Sequence, residues 1–153
     1  MGIIVQKFGG SSVANAEKLF NVCKHIKREI GEGNKVVVVV SAQGKKTDEL
    51  IKEEHEIMES PPKREHDVLV AVGEQITTAK LCMSLEKLKI QAVSLMGWQI
   101  PIITDNKFGD ADIKKINTER IIKELSQDKV VVVAGFQGID EGNNITTLRQ
   151  RRV

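Results

Sequence analysis

Residues 36 to 40 are five consecutive valines. A half-exposed strand alternates apolar and polar residues, so a run without a polar member reads as a strand covered on both faces, the situation of a parallel sheet. Val130-Val131-Val132-Val133-Ala134 repeats the pattern, and Ile3-Ile4-Val5 is a shorter version of it. Between the first two such runs Ala16, Leu19, Phe20, Cys23, Ile26 and Ile30 recur at helical spacing, and Gly31 and Gly33 close the stretch. Parallel neighbours need a crossover, normally a right-handed βαβ unit. The expectation is an α/β fold on a mostly parallel sheet. At 153 residues, one domain can bury about 70% of its unfolded surface.

The remaining elements follow from periodicity and breakers. A helix runs through Leu50, Ile51 and Ile57, with Thr47 or Asp48 as its cap, and stops at Ser60-Pro61-Pro62. A longer one extends from Arg64 to Leu88, and a short one from Thr118 to Leu125. Ile90 to Leu95 reads as a strand. Ile100 to Thr104 reads as an edge strand, because Pro101 has no N–H to give a ladder. Trp98, between these two strands, is assigned to packing.

Charge and composition exclude several functions. Lys plus Arg number 23 against 21 Asp plus Glu, a net charge of +2, so no global field gathers nucleic acid or an anionic membrane. Aromatics make up 3% and tyrosine is absent, which leaves little to stack on bases. No apolar stretch is expected to reach membrane-spanning length and no leader pattern opens the chain, so a cytoplasmic protein is expected. Cys23 and Cys82 lack metal or redox spacing and read as buried free thiols. His25, His55 and His66 sit among charges and read as solvated surface. Asp105, Asp110 and Asp112 surround Gly109 without the spacing of a calcium loop, so no metal site is assigned.

Each apolar run empties into a glycine-bearing loop. The first is Lys7-Phe8-Gly9-Gly10-Ser11-Ser12-Val13, the second Ser41-Ala42-Gln43-Gly44-Lys45-Lys46-Thr47-Asp48, and the third Gly135-Phe136-Gln137-Gly138. Ligands of open parallel sheets bind at the carboxyl ends of strands, which makes the recurrence more telling than any single loop. In the first loop, glycines allow backbone N–H groups close to an anion, the following helix start adds its positive end, and Lys7 adds a full charge. Gly44-Lys45 does not make a P-loop, since Val39 stands at the required glycine and Lys46 at the Ser/Thr position. Gly73 costs about 1 kcal/mol relative to alanine inside a helix. A ligand approaching beside Glu74, a packing contact or a helix break would each account for it.

Together these loops, with Gly73-Glu74-Gln75 and Ser94-Leu95-Met96-Gly97-Trp98-Gln99, resemble in order and spacing the aspartate kinases of the amino-acid kinase family, over residues 3 to 148. The resemblance implies an αβα sandwich. It also implies MgATP-dependent transfer of the γ-phosphoryl group to the side-chain carboxylate of L-aspartate, at the start of lysine, threonine and methionine synthesis. Lys7 would be catalytic and, with Phe8, Gly9 and Gly10, would bind phosphate and nucleotide. Ser41 and Thr47 would lie beside the aspartate, and Glu74 would pair with its α-ammonium group, a pairing that on this resemblance explains the glutamate beside a helix glycine better than packing does. Gln43 stands where the family usually has methionine, and Lys45-Lys46 where it often has small residues or threonine.

The resemblance stops at Leu148. The family continues with Gly-Arg-Gly-Gly-Ser-Asp, whereas this sequence reads Arg149-Gln150-Arg151-Arg152-Val153. A one-base shift in a Gly-Arg-Gly-Gly-Ser coding run yields Arg-Gln-Arg-Arg-Val, so residues 149 to 153 are expected to be out-of-frame sequence. Residues 1 to 148 then form a truncated N-terminal part of a kinase domain. ATP and magnesium belong to the parent enzyme, because the family's substrate arginine, magnesium ligands and adenine site have no candidates here. The isolated chain is expected to have little or no activity, and an exposed sheet edge near Ile145 to favour self-association. The alternatives are a non-catalytic anion- or aspartate-binding module, or half of a split kinase that needs a second chain.

Overall fold

The structure is a computed structural model that describes residues 2–150; Met1 and the last three residues of the tail, 151–153, lie outside the described residues. Four strands, β1 (Ile3–Phe8), β2 (Lys35–Val40), β3 (Ala92–Leu95) and β6 (Val130–Ala134), make a parallel sheet in the order β1-β2-β6-β3. The valine run is interior to this sheet and buried on both faces, as its lack of alternation requires. Val36, Val38 and Val40 pack with Leu19, Cys23 and Ile26 of α1 (Ala16–Gly31) and with Leu81 and Leu85 of α4 (Val72–Lys87). Val37, Val131 and Val133 face the other way, onto Leu95, Ile100 and Leu125, the last from α5 (Glu119–Ser126). Helices on both faces of a parallel sheet are the expected α/β sandwich.

A second sheet takes the order β5-β4-β7-β8, from β4 (Ile102–Thr104), β5 (Ile113–Ile116), β7 (Gln137–Ile139) and β8 (Ile145–Thr147). It corrects one expectation and adds an unexpected strand. Strand β4 is not an edge: Pro101 precedes it, and β4 lies between β5 and β7. Strand β5 is not visible in the sequence because its four residues, Ile113-Lys114-Lys115-Ile116, are all exposed and show no alternating face.

The long helix from Arg64 is interrupted at Ala71 into α3 (Lys63–Val70) and α4. Its 25 residues include a window of mean hydropathy 1.3, long and apolar enough by those measures to cross a bilayer, contrary to expectation. Half of that window is buried against the rest of the domain, so its apolar residues serve the core. Helix α2 (Lys46–Ile57) starts one residue before the proposed caps. Lys45 occupies the cap position and no side chain caps the helix, which leaves the Thr47 hydroxyl uncommitted to that role.

His66 is not simply solvated. Its Nδ1 donates to the Glu54 carboxylate at 2.6 and 2.7 Å, joining α2 to α3, and Glu54 is buried. His55 donates from Nδ1 to the Ile51 carbonyl at 2.7 Å, and His25 tilts against Phe8. Both cysteines are free thiols; burial pushes Cys23 up to about 11 and Cys82 up to about 12.

The edge at Ile145 is partly closed, since Ala111 donates to the Thr147 carbonyl and accepts from the Arg149 amide. The open apolar edge is instead β1, where Ile3 is 51% and Val5 66% exposed.

Candidate active site

Three of the loops begin level with one another. Phe8 pairs with Val40 and Val40 with Ala134, so β1, β2 and β6 reach the same rim together. The Ser41 amide donates to the Phe8 carbonyl (3.2 Å) and the Gly135 amide to the Val40 carbonyl (2.9 Å), carrying the ladder one residue past the strands. A Cβ on Gly10 would lie 2.8 Å from the Ala42 carbonyl oxygen, and the Gly44 amide donates to the Gly10 carbonyl at 3.0 Å. Gly10 is therefore required by the contact between the first two loops. Gln43 reinforces that contact: its Nε2 donates to the Val13 carbonyl (2.8 Å) while its Oε1 accepts from Lys80 Nζ (2.9 Å).

Lys7 and Ser41 line one cleft of about 610 Å³, together with Val39, Gly135, Phe136 and Arg149. Lys7 is exposed on its wall, and no atom approaches within 4 Å of the position a Cβ on Gly9 would take. Unlike Gly10, Gly9 is therefore not fixed by close packing at its Cβ position. One component of the expected phosphate site is different. Gly9 leads into a four-residue 3₁₀ turn, Gly10–Val13, and the N-terminus of α1 comes only at Asn15, whose side chain accepts from the Lys18 amide. The positive end of α1 is displaced from the glycines and already capped, so charge at Gly9 and Gly10 depends on Lys7.

Glu74, Thr47 and Gly10 gather around the neighbouring residue, Ala42. Gly73 sits so tightly there that a Cβ would be 2.8 Å from Ala42 Cβ and 3.8 Å from Thr47 Oγ1. Contrary to expectation, packing by itself accounts for the helical glycine, and the Ala71 junction lies two residues before it. Glu74 is 3% exposed, and among the described residues its Oε2 has no hydrogen-bond partner. Burial pushes its carboxyl up to about 7, against the opposing effect of the Glu74 and Ala42 backbone N–H groups. A buried carboxyl with an unused acceptor is a seat for a cationic donor, whose arrival would restore the ionised form. Ser41 and Ala42 are adjacent, so the lysine cleft and the glutamate seat meet at one loop.

Two buried polar side chains at this rim escaped sequence reading. Asp67 accepts from the Thr147 amide (2.9 Å), the Thr147 hydroxyl (2.8 Å) and the Gly109 amide (2.9 Å). Gln137 bonds Ala71 and Gly97. Only a polar residue inside an apolar pattern could have signalled them, and both sit in mixed segments. Arg149 pairs with Asp110 (3.3 Å) and Asp112 (3.1 Å) at the mouth of the cleft. Asp105 accepts from the Lys107 and Asp112 amides and organises its own turn. Among the described residues no three His, Cys, Asp or Glu side chains are grouped to hold a metal.

The parallel sheet with helices on both faces thus carries a lysine at one strand end and, on α4 beside the adjoining loop, a buried glutamate. The model of the Amino acid kinase family matches residues 2–149, and the chain belongs to that family. Within it, the similarity is to aspartokinases: 53% identity over 148 residues to the aspartokinase of Bacillus sp. strain MGA3, and 48% to aspartokinase 2 of Bacillus subtilis. Both alignments cover 97% of this chain and 36% of the relative, so the chain spans about a third of their length. The crystal structure of aspartate kinase from Synechocystis superposes with a TM-score of 0.80 at 41% identity, over 97% of this chain and 24% of that one. E. coli aspartokinase III in complex with aspartate and ADP shares the fold, at 20% identity and a TM-score of 0.82, over 95% of this chain and 43% of that one.

Proposed function

We propose that this chain carries the acceptor-binding and phosphoryl-lysine side of an aspartate kinase site, working in the cytoplasm. The observation that carries the proposal is Glu74, buried, with an unpartnered oxygen and a carboxyl held near 7, beside Ser41, Ala42 and Thr47. Glu74 receives the α-ammonium group of L-aspartate, and the Ser41 and Thr47 hydroxyls orient its carboxylates. The side-chain carboxylate oxygen attacks the γ-phosphorus of ATP, the bond to the β,γ-bridging oxygen breaks, and ADP departs. Lys7 neutralises the phosphoryl group in transit, with Phe8, Gly9 and Gly10 forming its cradle and backbone N–H groups of the glycines meeting its oxygens. The substrate is itself the nucleophile, so catalysis is positioning and charge stabilisation.

The chain covers 36% of the length of the relatives it matches, and no residues of the described set are assigned to magnesium or adenine. Residues 1 to 148 are read as the N-terminal part of a kinase domain that turns over only with the remainder. Residues 149 to 153 are read as frame-shifted sequence, testable in the coding DNA by a latent Gly-Arg-Gly-Gly-Ser frame. Self-association would use the open β1 edge. The deciding experiment has two arms. Calorimetry with L-aspartate should show binding by the chain and its loss in Glu74→Gln. Hydroxylamine trapping of aspartyl phosphate should give no product from the chain alone and product on coexpression with the rest of a related kinase, lost again in Lys7→Ala. Binding that survives Glu74→Gln would remove the glutamate from the site, and product from the chain alone would overturn the split.

A further inference from the structure

Gln137, in the third loop, is the first residue of β7 and is 0% exposed. Both ends of its amide are used, in different directions. Nε2 donates to the Ala71 carbonyl at 2.8 Å, and Oε1 accepts from the Gly97 amide at 3.1 Å. The site is closely fitted: a Cβ on Gly97 would stand 2.8 Å from the Gln137 carbonyl oxygen. Ala71 is where α3 ends and α4 begins, and Glu74 is the third residue of α4. A side chain bonded into a helix backbone is one of the identifiable causes of a helix interruption. Glutamine suits the position because it is uncharged and offers a donor and an acceptor at once.

We propose that Gln137 is a positioning residue for Glu74: by holding the Ala71 carbonyl and the Gly97 amide, it sets where α4 begins and keeps the Glu74 carboxylate in its seat beside Ala42. Its consequence for substrate rests on the reading of Glu74 as the ammonium acceptor; the positioning itself does not. The third loop, which lines the lysine cleft, is thereby tied to the glutamate seat through a single buried amide.

The test is a carbon-13 NMR titration of the Glu74 carboxyl in the 153-residue chain and in Gln137→Met, which keeps bulk but loses both bonds. Leu125→Ala, which weakens the opposite face of the sheet, is the control for general loosening. In Gln137→Met the Glu74 midpoint should fall by about one unit or more as water reaches the carboxyl, and in Leu125→Ala it should stay at the wild-type value. A folded Gln137→Met chain with the wild-type midpoint overturns the proposal, and so does an equal fall in Leu125→Ala. Should Gln137→Met not fold, wild-type protein still decides the question. The Gln137 side-chain amide resonances should titrate with the Glu74 midpoint, because coupling between two groups is reciprocal, and flat resonances overturn the assignment. Addition of L-aspartate separates the two readings: coupling without aspartate binding rejects the substrate and retains the positioning.

Discussion

The Cβ that Gly73 lacks would lie 2.8 Å from the Cβ of Ala42, so helix α4 touches the loop after β2 at the residue next to Glu74. The contact is between the first turn of α4 and the Ala42 methyl group, which has no rotamer by which to yield. Gly73→Ala should therefore destabilise the chain by about 1–3 kcal/mol through overpacking, although alanine is the better helix former. Urea unfolding at neutral pH measures this, and a variant as stable as wild type would mean the loop moves freely.

Glu74 makes stability depend on pH in a definite direction. Its folded-state carboxyl titrates near 7 against an ordinary value of 4.5, so the folded chain holds a proton that the unfolded chain has released between those values. Stability falls as pH rises through that window, and the cost of about 3 kcal/mol is complete above it. Glu74→Gln should match wild type near pH ~4 and exceed its stability by up to about 3 kcal/mol near pH ~8. A variant equal to wild type at both pH values would show that the carboxyl ionises without penalty.

Binding of an ammonium ligand at Glu74 should release a proton when it occurs below about pH 7, since the cation favours the ionised carboxyl. Calorimetry with L-aspartate in buffers of different ionisation enthalpy reads that proton directly. Binding enthalpies independent of the buffer would place the ammonium elsewhere.

Asp67 is fully buried and satisfies Thr147 twice and Gly109 once. Asp67→Ala leaves three donors without their acceptor, at a cost of about 3 kcal/mol. The loss should centre on β8 and the turn at Gly109, where amide hydrogen exchange would accelerate first. Unaltered protection of the Thr147 amide would show that its bond to Asp67 carries little.

Gln43 bridges the Val13 carbonyl and Lys80 at a position where the sequence resemblance leads one to expect methionine. Gln43→Met should cost about 1–2 kcal/mol, since one of the two bonds involves a charged group. A thermal melt compared with Lys80→Met separates the contributions, and a stabilising Gln43→Met would show that packing outweighs the bridge.

The apolar runs by themselves determined the parallel sheet, and the glycines after them placed the candidate loops at strand ends. Both follow from local rules: a residue buried on either face must be apolar, and a chain leaving a strand sharply needs small residues. The same rules failed at β5, whose isoleucines flank two lysines and are exposed, and at Pro101, which stands outside the strand it was taken to weaken. Lys7, Ser41, Thr47 and Glu74 could be named in the sequence, but only tertiary structure decided how they are grouped. Strand order β1-β2-β6 brings residues 7, 41 and 135 to one rim, while the Gly73–Ala42 contact buries Glu74 beside Thr47. The interruption at Ala71, the hydrogen bonds of Gln137 and the pairing of His66 with Glu54 were likewise settled there. Each depends on partners a dozen to some sixty-six residues apart, and periodicity reports whether a residue is buried but not which distant group meets it.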